Sequence, residues 1–119
     1  MAFTDIPQVL PSRTVQQALV EMTKKRLGMT TIIDSNQLLQ GVFTDGDLRR
    51  ALDQNLNLNE TKITAVMNRD FISVKGDTLA AEALKIMQKN KITSLMVMHE
   101  NQQINGVIHL HDILKAGIA

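Results

Sequence analysis

The sequence predicts an α+β fold of two β-α-β-β-α repeats related by a pseudo-two-fold axis, each with a small mixed sheet flanked by helices. One observation behind this prediction is an internal duplication, in which residues 12–51 align with residues 77–116. The other is hydrophobic periodicity, which gives the same order of elements twice. Two repeats too small to close separate cores predict units that face each other. The repeats are identical at Ala18, Leu19, Met22, Lys24, Asn36, Gln37, Gly41, Val42, Asp47 and Ala51.

The first repeat opens with a short strand and an amphipathic helix. Residues 6–9 match the first strand of the second repeat but are interrupted by Pro7, which predicts a brief edge strand. Apolar residues then recur at i, i+3, i+4 and i+7, which predicts a helix that Gly28 ends. A strand, a turn over residues 34–37 and a returning strand follow. The helix positions are Val15, Ala18, Leu19, Met22 and Leu27, and the two strands are residues 30–33 and 39–43.

The second repeat follows an asparagine-rich connector. Apolar residues at 63, 66 and 67 predict a short helix, which leads into a strand over residues 71–74. Asp77 or Thr78 is the expected cap of the next helix, whose apolar face is Leu79, Ala83, Leu84 and Met87. A hairpin over residues 95–98 and 104–108 turns through Glu100-Asn101-Gln102. The predicted boundaries are 6–53 for the first repeat, 54–62 for the connector and 63–116 for the second repeat, together one compact module.

The composition excludes several classes of function. Thirteen Lys and Arg balance twelve Asp and Glu, and the aromatic residues are three Phe, so no basic stripe or stacking platform for nucleic acid is present. No run of about eighteen apolar residues exists to span a bilayer, and the N-terminus lacks the features of a signal peptide. The chain has no cysteine, which removes disulfides, thiolate metal sites and a cysteine nucleophile. We therefore expect a cytoplasmic protein that binds neither nucleic acid nor membrane.

The repeated ending of each unit is the candidate site. Thr44 and Asp47 lie where a strand stops and a helix starts, so the first-turn N–H groups of that helix lack partners and attract a phosphate. The carboxylate can accept hydrogen bonds from the two vicinal hydroxyls of a ribose. Asp112 has the equivalent place in the second repeat. The local alternative is a capping box of Thr44 with Asp47, which stabilises a helix by about 1 kcal/mol and binds nothing.

These patterns together resemble a pair of CBS domains, the modules named for cystathionine β-synthase. The resemblance runs from about residue 6 to residue 114, and rests on the β-α-β-β-α repeat, the ending Gly-hydrophobic-X-Thr-X-X-Asp-hydrophobic and a leader at residues 63–67. Longer stretches resemble the C-terminal CBS pair of bacterial D-arabinose 5-phosphate isomerases, which make the first sugar phosphate on the route to the lipopolysaccharide sugar Kdo. Those stretches are Leu27-Gly28-Met29-Thr30, Gly41 to Arg50, Ile92-Thr93-Ser94 and His109-Leu110-His111-Asp112.

The resemblance implies a regulatory fragment of an isomerase. In that family the aldose-ketose isomerisation belongs to an N-terminal sugar-isomerase domain, which these 119 residues do not contain. Isomerisation needs a base and a group that polarises the carbonyl, and no convergent set of such residues stands out. We therefore expect no catalytic residues and no required cofactor. The resemblance also places the ribose of a nucleotide on the aspartate of each ending.

The remaining candidate residues flank these aspartates. Backbone groups and small side chains where the hairpins start would contact base and sugar, and His109 can donate a hydrogen bond to a phosphate. His109 and His111 lie near Asp112, but no third or fourth ligand has the spacing of a zinc site, so we expect no metal. The predicted nucleotide-binding residues are Met29, Thr30, Thr44, Asp47, Thr93, Ser94, His109, His111 and Asp112, with Arg49 or Arg50 contacting a phosphate or a sugar acid.

Two classes of function remain open. In the first, a nucleotide or nucleotide-sugar bound between the repeats biases the attached isomerase domain. CBS pairs generally take adenine nucleotides, and CMP-Kdo, the activated end product, is the feedback ligand that the resemblance suggests. In the second, the pair is a ligand-free scaffold that forms a homodimer by packing face to face with a second copy.

Overall fold

The structure is a computed structural model that describes residues 6–25, 28–98 and 103–115. The chain divides into two compact units, here called the first unit (Ile6–Phe71) and the second unit, which begins at Ile72. Each unit has a three-stranded sheet, and its elements follow the order strand, helix, strand, strand, helix. The order predicted from the duplication is therefore confirmed in both units.

The first unit builds its sheet around the central strand β2. The strand β1 pairs with β2 in parallel, and β3 pairs with β2 antiparallel. As expected from Pro7, β1 is only two residues long and lies at the sheet edge. Thr31 holds this edge in place, because its N–H and its Oγ1 both donate to the Pro7 carbonyl oxygen, at 3.0 and 2.6 Å. The elements are β1 (Gln8–Val9), α1 (Val15–Lys25), β2 (Met29–Ile33), β3 (Leu39–Thr44) and α2 (Asp45–Asp53).

The amphipathic face of α1 forms one side of the first core. Its apolar residues pack with side chains from the sheet, and two of these, Ile32 and Phe43, are fully buried. The predicted helical face is confirmed except at Leu27, which lies outside the described residues. The helix ends at Lys25, and Gly28 has a φ of 67°, a left-handed conformation that suits glycine. The core cluster is Val15, Ala18, Met22, Ile32, Phe43, Ile63 and Met67.

The hairpin between β2 and β3 carries the predicted turn and an irregularity. Asp34 closes the turn, since its Oδ1 accepts from the N–H groups of Asn36 and Leu38 at 2.8 and 3.0 Å. The pairing register shifts between Ile32 and Ile33, which leaves one extra residue on β3. The second unit has the same shift between Val97 and Met98. The duplication therefore extends to a bulge, a detail that hydrophobic periodicity does not reveal.

The stretch that follows the connector packs with the first unit. The predicted short helix is a single 3-10 turn (Ile63–Ala65), and the Ile63 N–H donates to the Arg13 carbonyl oxygen at 2.9 Å. Further along, Val42 and Asn68 exchange two backbone hydrogen bonds of 2.9 and 2.8 Å. This bridge covers the outer edge of β3. The second repeat is predicted to begin at residue 63, but residues 63–71 belong structurally to the first unit.

The second unit repeats the architecture with a different start to its first helix. The sequence suggested Asp77 or Thr78 as the cap of that helix, but neither residue caps it. The N-cap is Leu79, which makes no side-chain cap hydrogen bond. Leu79 has extended backbone angles outside the helix, and its side chain is 72% exposed, so its predicted place on the apolar face is wrong. The turn at residues 100–102 lies outside the described residues. The elements are β4 (Ser73–Lys75), α3 (Ala80–Asn90), β5 (Ser94–Met98), β6 (Ile104–His109) and α4 (Leu110–Lys115).

In the second unit, strands β5 and β6 have buried residues on both faces of the sheet, and α3 covers one of these faces. The sheet pairs β4 with β5 in parallel and β5 with β6 antiparallel, as in the first unit. From α3, Ala83 and Met87 are fully buried, which confirms the rest of the predicted face. The core cluster is Ala83, Met87, Leu95, Val97, Ile108 and Ile113. Each unit therefore has a hydrophobic cluster of its own, and the expectation that one repeat is too small to close a core is wrong.

The end of α3 offers a stability prediction. Lys91 is the C-cap, with φ 56° and ψ 43°, a left-handed conformation in which a side chain is unfavourable. We expect Lys91→Gly to raise the free energy of unfolding by about 0.5 to 1 kcal/mol. Lys89→Gly, inside the same helix, should lower it by about 1 kcal/mol. Urea unfolding of both variants checks this, and an equal loss of stability in both would show that Lys91 does not need a left-handed backbone.

Candidate functional site

The candidate site of the first unit lies where β2 begins and β3 ends. Antiparallel pairing places Met29 opposite Thr44, and α2 starts at Asp45 with no intervening loop. The Asp45 N–H donates to the Gly28 carbonyl oxygen at 3.1 Å, which ties the start of α2 to the residue before β2. The fold therefore brings the start of a strand, the end of a strand and the start of a helix to one edge of the sheet.

Thr44 and Asp47 form a complete capping box at this edge. The Asp47 N–H donates to Thr44 Oγ1 at 3.3 Å, and Asp47 Oδ2 accepts from Thr44 N–H and from Thr44 Oγ1 at 2.9 and 3.0 Å. The local alternative considered for the Thr-X-X-Asp motif is thus present in the structure. It explains why α2 begins at this point, and a ligand at Asp47 would bind to a carboxylate that already stabilises the fold.

The second oxygen of Asp47 pairs with Arg50. Arg50 Nη2 donates to Asp47 Oδ1, three residues earlier on α2. The Asp47 residue is 7% exposed, whereas the Arg50 side chain is 68% exposed. A Cβ built on Gly46 would lie 3.8 Å from Arg50 Nη1 and 4.0 Å from Nη2. The guanidinium therefore lies beside the first turn of α2, as expected for a helical side chain that points toward the N-terminus.

The first turn of α2 also carries Asp45, a residue to which the sequence interpretation gave no role. Its Oδ2 lies 2.9 Å from the position that a Cβ on Gly28 would occupy, so a side chain at Gly28 would collide with this carboxylate. Asp45 and Asp47 are both favourably placed for the helix dipole. The position of Gly28 directly before β2 was a signal in the sequence for this close contact, but Gly28 was interpreted only as the end of a helix.

The predicted residues at the start of β2 are buried. Met29 is 1% exposed and Thr30 is fully buried, and Thr30 Oγ1 donates to the Thr31 carbonyl oxygen at 3.2 Å. Both side chains belong to the packed interior of the structure, so any contact they make with a ligand is limited. Arg49 is exposed on α2 next to Arg50. The first unit thus brings together Met29, Thr44, Asp47 and Arg50, while their roles in binding stay predictions.

The second unit has the equivalent edge with different residues. Ser94 pairs with His109, and the Leu110 N–H donates to the Thr93 carbonyl oxygen at 2.7 Å, as Asp45 donates to Gly28. Thr93 is exposed, and Ser94 and His109 are partly buried. These three predicted residues therefore lie together. The side chains of His111 and Asp112 in α4 lie outside what the structure describes, so their roles in binding stay predictions.

Two features of the described residues bear on other functions. No group of three or more His, Asp or Glu residues there is arranged to hold a metal ion. Within the same ranges, every helix is too short or too polar to cross a membrane.

Two small mixed sheets, each ending in a strand-to-helix junction with a threonine or histidine at its corner, define a tandem of two similar α+β domains. The family model described as CBS domain matches residues 2–54 and again residues 63–119. The chain therefore belongs to the CBS domain family and contains two such domains.

Two curated relatives are similar to this chain along nearly its whole length. The chain is 45% identical over 115 residues to the arabinose 5-phosphate isomerase KdsD of Yersinia pestis, covering 97% of this chain and 35% of the relative. It is 46% identical over 113 residues to KdsD of Pseudomonas aeruginosa, covering 95% of this chain and 35% of that relative. The chain thus spans about a third of the length of these relatives.

A solved structure supports the fold. The CBS domain protein PAE2072 from Pyrobaculum aerophilum, complexed with AMP, superimposes with a TM-score of 0.82 at 20% sequence identity, covering 96% of this chain and 92% of that one. The predicted α+β fold of two CBS repeats is therefore confirmed.

Proposed function

We propose that this chain is the regulatory CBS pair of a D-arabinose 5-phosphate isomerase. The observation that carries the proposal is the 45% identity to KdsD across 97% of the chain. Because that match covers only 35% of KdsD, the isomerase activity belongs to the rest of such a protein, in an N-terminal sugar-isomerase domain. The chain itself regulates and does not catalyse. Its place is the cytoplasm, where sugar phosphates and nucleotides are made.

The proposed ligand is a nucleotide or nucleotide-sugar. The AMP in the structure of the similarly folded PAE2072 supports this class of ligand. In the first unit, Asp47 accepts from the ribose hydroxyls and the phosphate lies at the start of α2, beside Thr44 and Arg50. In the second unit, Asp112 and His109 take the corresponding roles. AMP is the first candidate, and CMP-Kdo is the second because it is the activated product of the pathway that KdsD relatives begin.

The thermal stability of the chain in a panel of ligands tests this function. A nucleotide at a hundred times its dissociation constant should raise the free energy of unfolding by about 2.7 kcal/mol, since it binds only the folded state. The panel is AMP, ADP, ATP, CMP and CMP-Kdo, with ribose 5-phosphate and inorganic phosphate as controls that lack the base. We expect at least one nucleotide to stabilise the chain more than ribose 5-phosphate does, because the base adds contacts, and inorganic phosphate to leave it unchanged. No stabilisation by any nucleotide would contradict the proposed function.

A homodimer scaffold is the second candidate function. It is favoured by exposed apolar side chains on the helices of the first unit, where Val20 on α1 is 61% exposed and Leu52 on α2 is 52% exposed. Symmetric dimers are the commonest protein oligomers, and such a dimer would cover these residues. Light scattering after size exclusion separates the two functions. A ligand-independent dimer with no thermal response to nucleotides favours the scaffold, whereas a nucleotide response favours regulation, with or without a dimer.

A further inference from the structure

The carboxylate of Asp47 is enclosed by its own partners. Oδ2 accepts two hydrogen bonds from Thr44, and Oδ1 accepts from Arg50. With 7% exposure, the residue leaves little room for a further donor while these partners stay in place. A ribose diol needs acceptor positions on this same carboxylate. The diol therefore gains access to Oδ1 only when the Arg50 guanidinium moves away.

Arg50 is the partner that can leave at low cost. Its side chain is 68% exposed, and an ion pair with one solvent-exposed member contributes little to stability. The Thr44 bonds, in contrast, fix the start of α2. The guanidinium already lies beside the first turn of α2, since its two terminal nitrogens are about 4 Å from the position of a Cβ on Gly46. An anion at that turn would be its new partner, and arginine binds phosphate and carboxylate groups in a bidentate manner.

We infer that Arg50 makes the first unit's site selective for ligands that carry both a vicinal diol and an anionic group. This inference rests on the proposed nucleotide site and names its specificity. The diol replaces Arg50 at Asp47, and the phosphate or sugar-acid group of the same ligand replaces Asp47 at Arg50. A nucleoside offers only the first replacement and leaves the guanidinium without an anion. Arg50 therefore opposes nucleosides and favours nucleotides, which makes it a specificity-determining residue.

The test compares AMP with adenosine by isothermal titration calorimetry. For the wild-type chain we expect AMP to bind at least about tenfold more tightly than adenosine, as one charge-assisted contact allows. In Arg50→Gln, AMP should bind about tenfold more weakly while adenosine binds as well as before or better, so the preference shrinks to about threefold or less. In Arg50→Lys, which keeps the charge but loses the planar fork, the preference should be intermediate.

Arg49→Gln is the matched control, because it removes the same charge from the exposed neighbouring residue of α2. It should leave the ratio of AMP to adenosine affinity unchanged. If Arg50→Gln and Arg49→Gln lower AMP affinity equally and keep the ratio, the inference is wrong while the nucleotide site stands. If neither AMP nor adenosine binds the wild type or any variant, and CMP and CMP-Kdo also fail, the proposed function and the inference fall together. Thermal unfolding of each variant shows that a lost affinity is not a lost fold, and Arg50→Lys decides the question if Arg50→Gln does not fold.

Discussion

Asp47→Ala is expected to abolish nucleotide binding by the first unit and to lower the free energy of unfolding by about 2 kcal/mol. The substitution removes the acceptor of the ribose hydroxyls. It also removes the acceptor of two hydrogen bonds from Thr44 and the ion-pair partner of Arg50. The structural part of this loss follows from the capping box, whatever the ligand. Calorimetric titration with AMP measures the first effect and urea unfolding measures the second.

Asp45→Ala provides the matched control for that experiment. Asp45 is the other acidic residue in the first turn of α2, but it is exposed and is not the predicted ribose ligand. We expect this variant to bind AMP and to lose only about 0.3 to 1 kcal/mol, the usual contribution of a charge at a helix N-terminus. An Asp47→Ala chain that loses stability but keeps its affinity for AMP would reduce Asp47 to a helix cap and contradict its role in binding.

Gly41→Ala is expected to lower the free energy of unfolding by about 1 to 3 kcal/mol, because a new methyl group would overpack its surroundings. A Cβ at Gly41 would lie 2.9 Å from the Asn68 carbonyl oxygen and 2.9 Å from Met67 Sδ. The sulfur can move, but the carbonyl belongs to the backbone that bridges Asn68 to Val42. The substitution therefore loosens the stretch that covers the edge of β3. Urea unfolding gives the loss, and hydrogen exchange at the Val42 and Asn68 amides should become faster.

Gly76→Ala is the control for the glycine substitution. A Cβ at Gly76 would meet Asn105 Nδ2 at 3.4 Å and Val97 Cγ1 at 4.0 Å, which are movable side-chain atoms at or near ordinary contact distance. Its effect should be within about 0.5 kcal/mol of zero, or slightly stabilising, because alanine restricts the unfolded chain. Equal losses for both variants would mean that the bridge at Asn68 does not constrain Gly41.

The elements that could be predicted are those set by local pattern. The i, i+3, i+4, i+7 spacing of α1 and the Asp34 turn depend on neighbours in sequence, and both appear in the structure. Because the sequence is duplicated, the same order of elements could be predicted for the second unit. The start of α3 was missed because Asp77 and Thr78 are good caps by composition, while the backbone extends through Leu79 before the helix begins. Cap identity depends on where the turn ends, which residue type alone does not decide.

The sequence predicted which residues belong to the candidate site better than it predicted the contacts between those residues. The motif identified Thr44 and Asp47, and both the capping box and the proposed binding role use them. The i, i+3 spacing of Asp47 and Arg50 on a helix could have predicted their ion pair, but Arg50 was assigned to the phosphate or sugar acid of a ligand instead. The contacts of Gly28 with Asp45 and of Gly41 with Asn68 join residues that are 17 and 27 positions apart. Such pairs arise from tertiary packing, so neither periodicity nor a local motif could predict them.

The most direct test of the central claim is a two-dimensional NMR titration of the ¹⁵N-labelled chain with AMP and, in a second sample, with CMP-Kdo. The claim is that a nucleotide binds at the strand-to-helix junction that Asp47 occupies. We predict saturable shifts of the amide signals of Thr44, Asp47 and Gly28, together with a shift of the Arg50 side-chain Nε–H signal. Saturable shifts confined to residues away from this junction, or no shifts with either ligand, would contradict it.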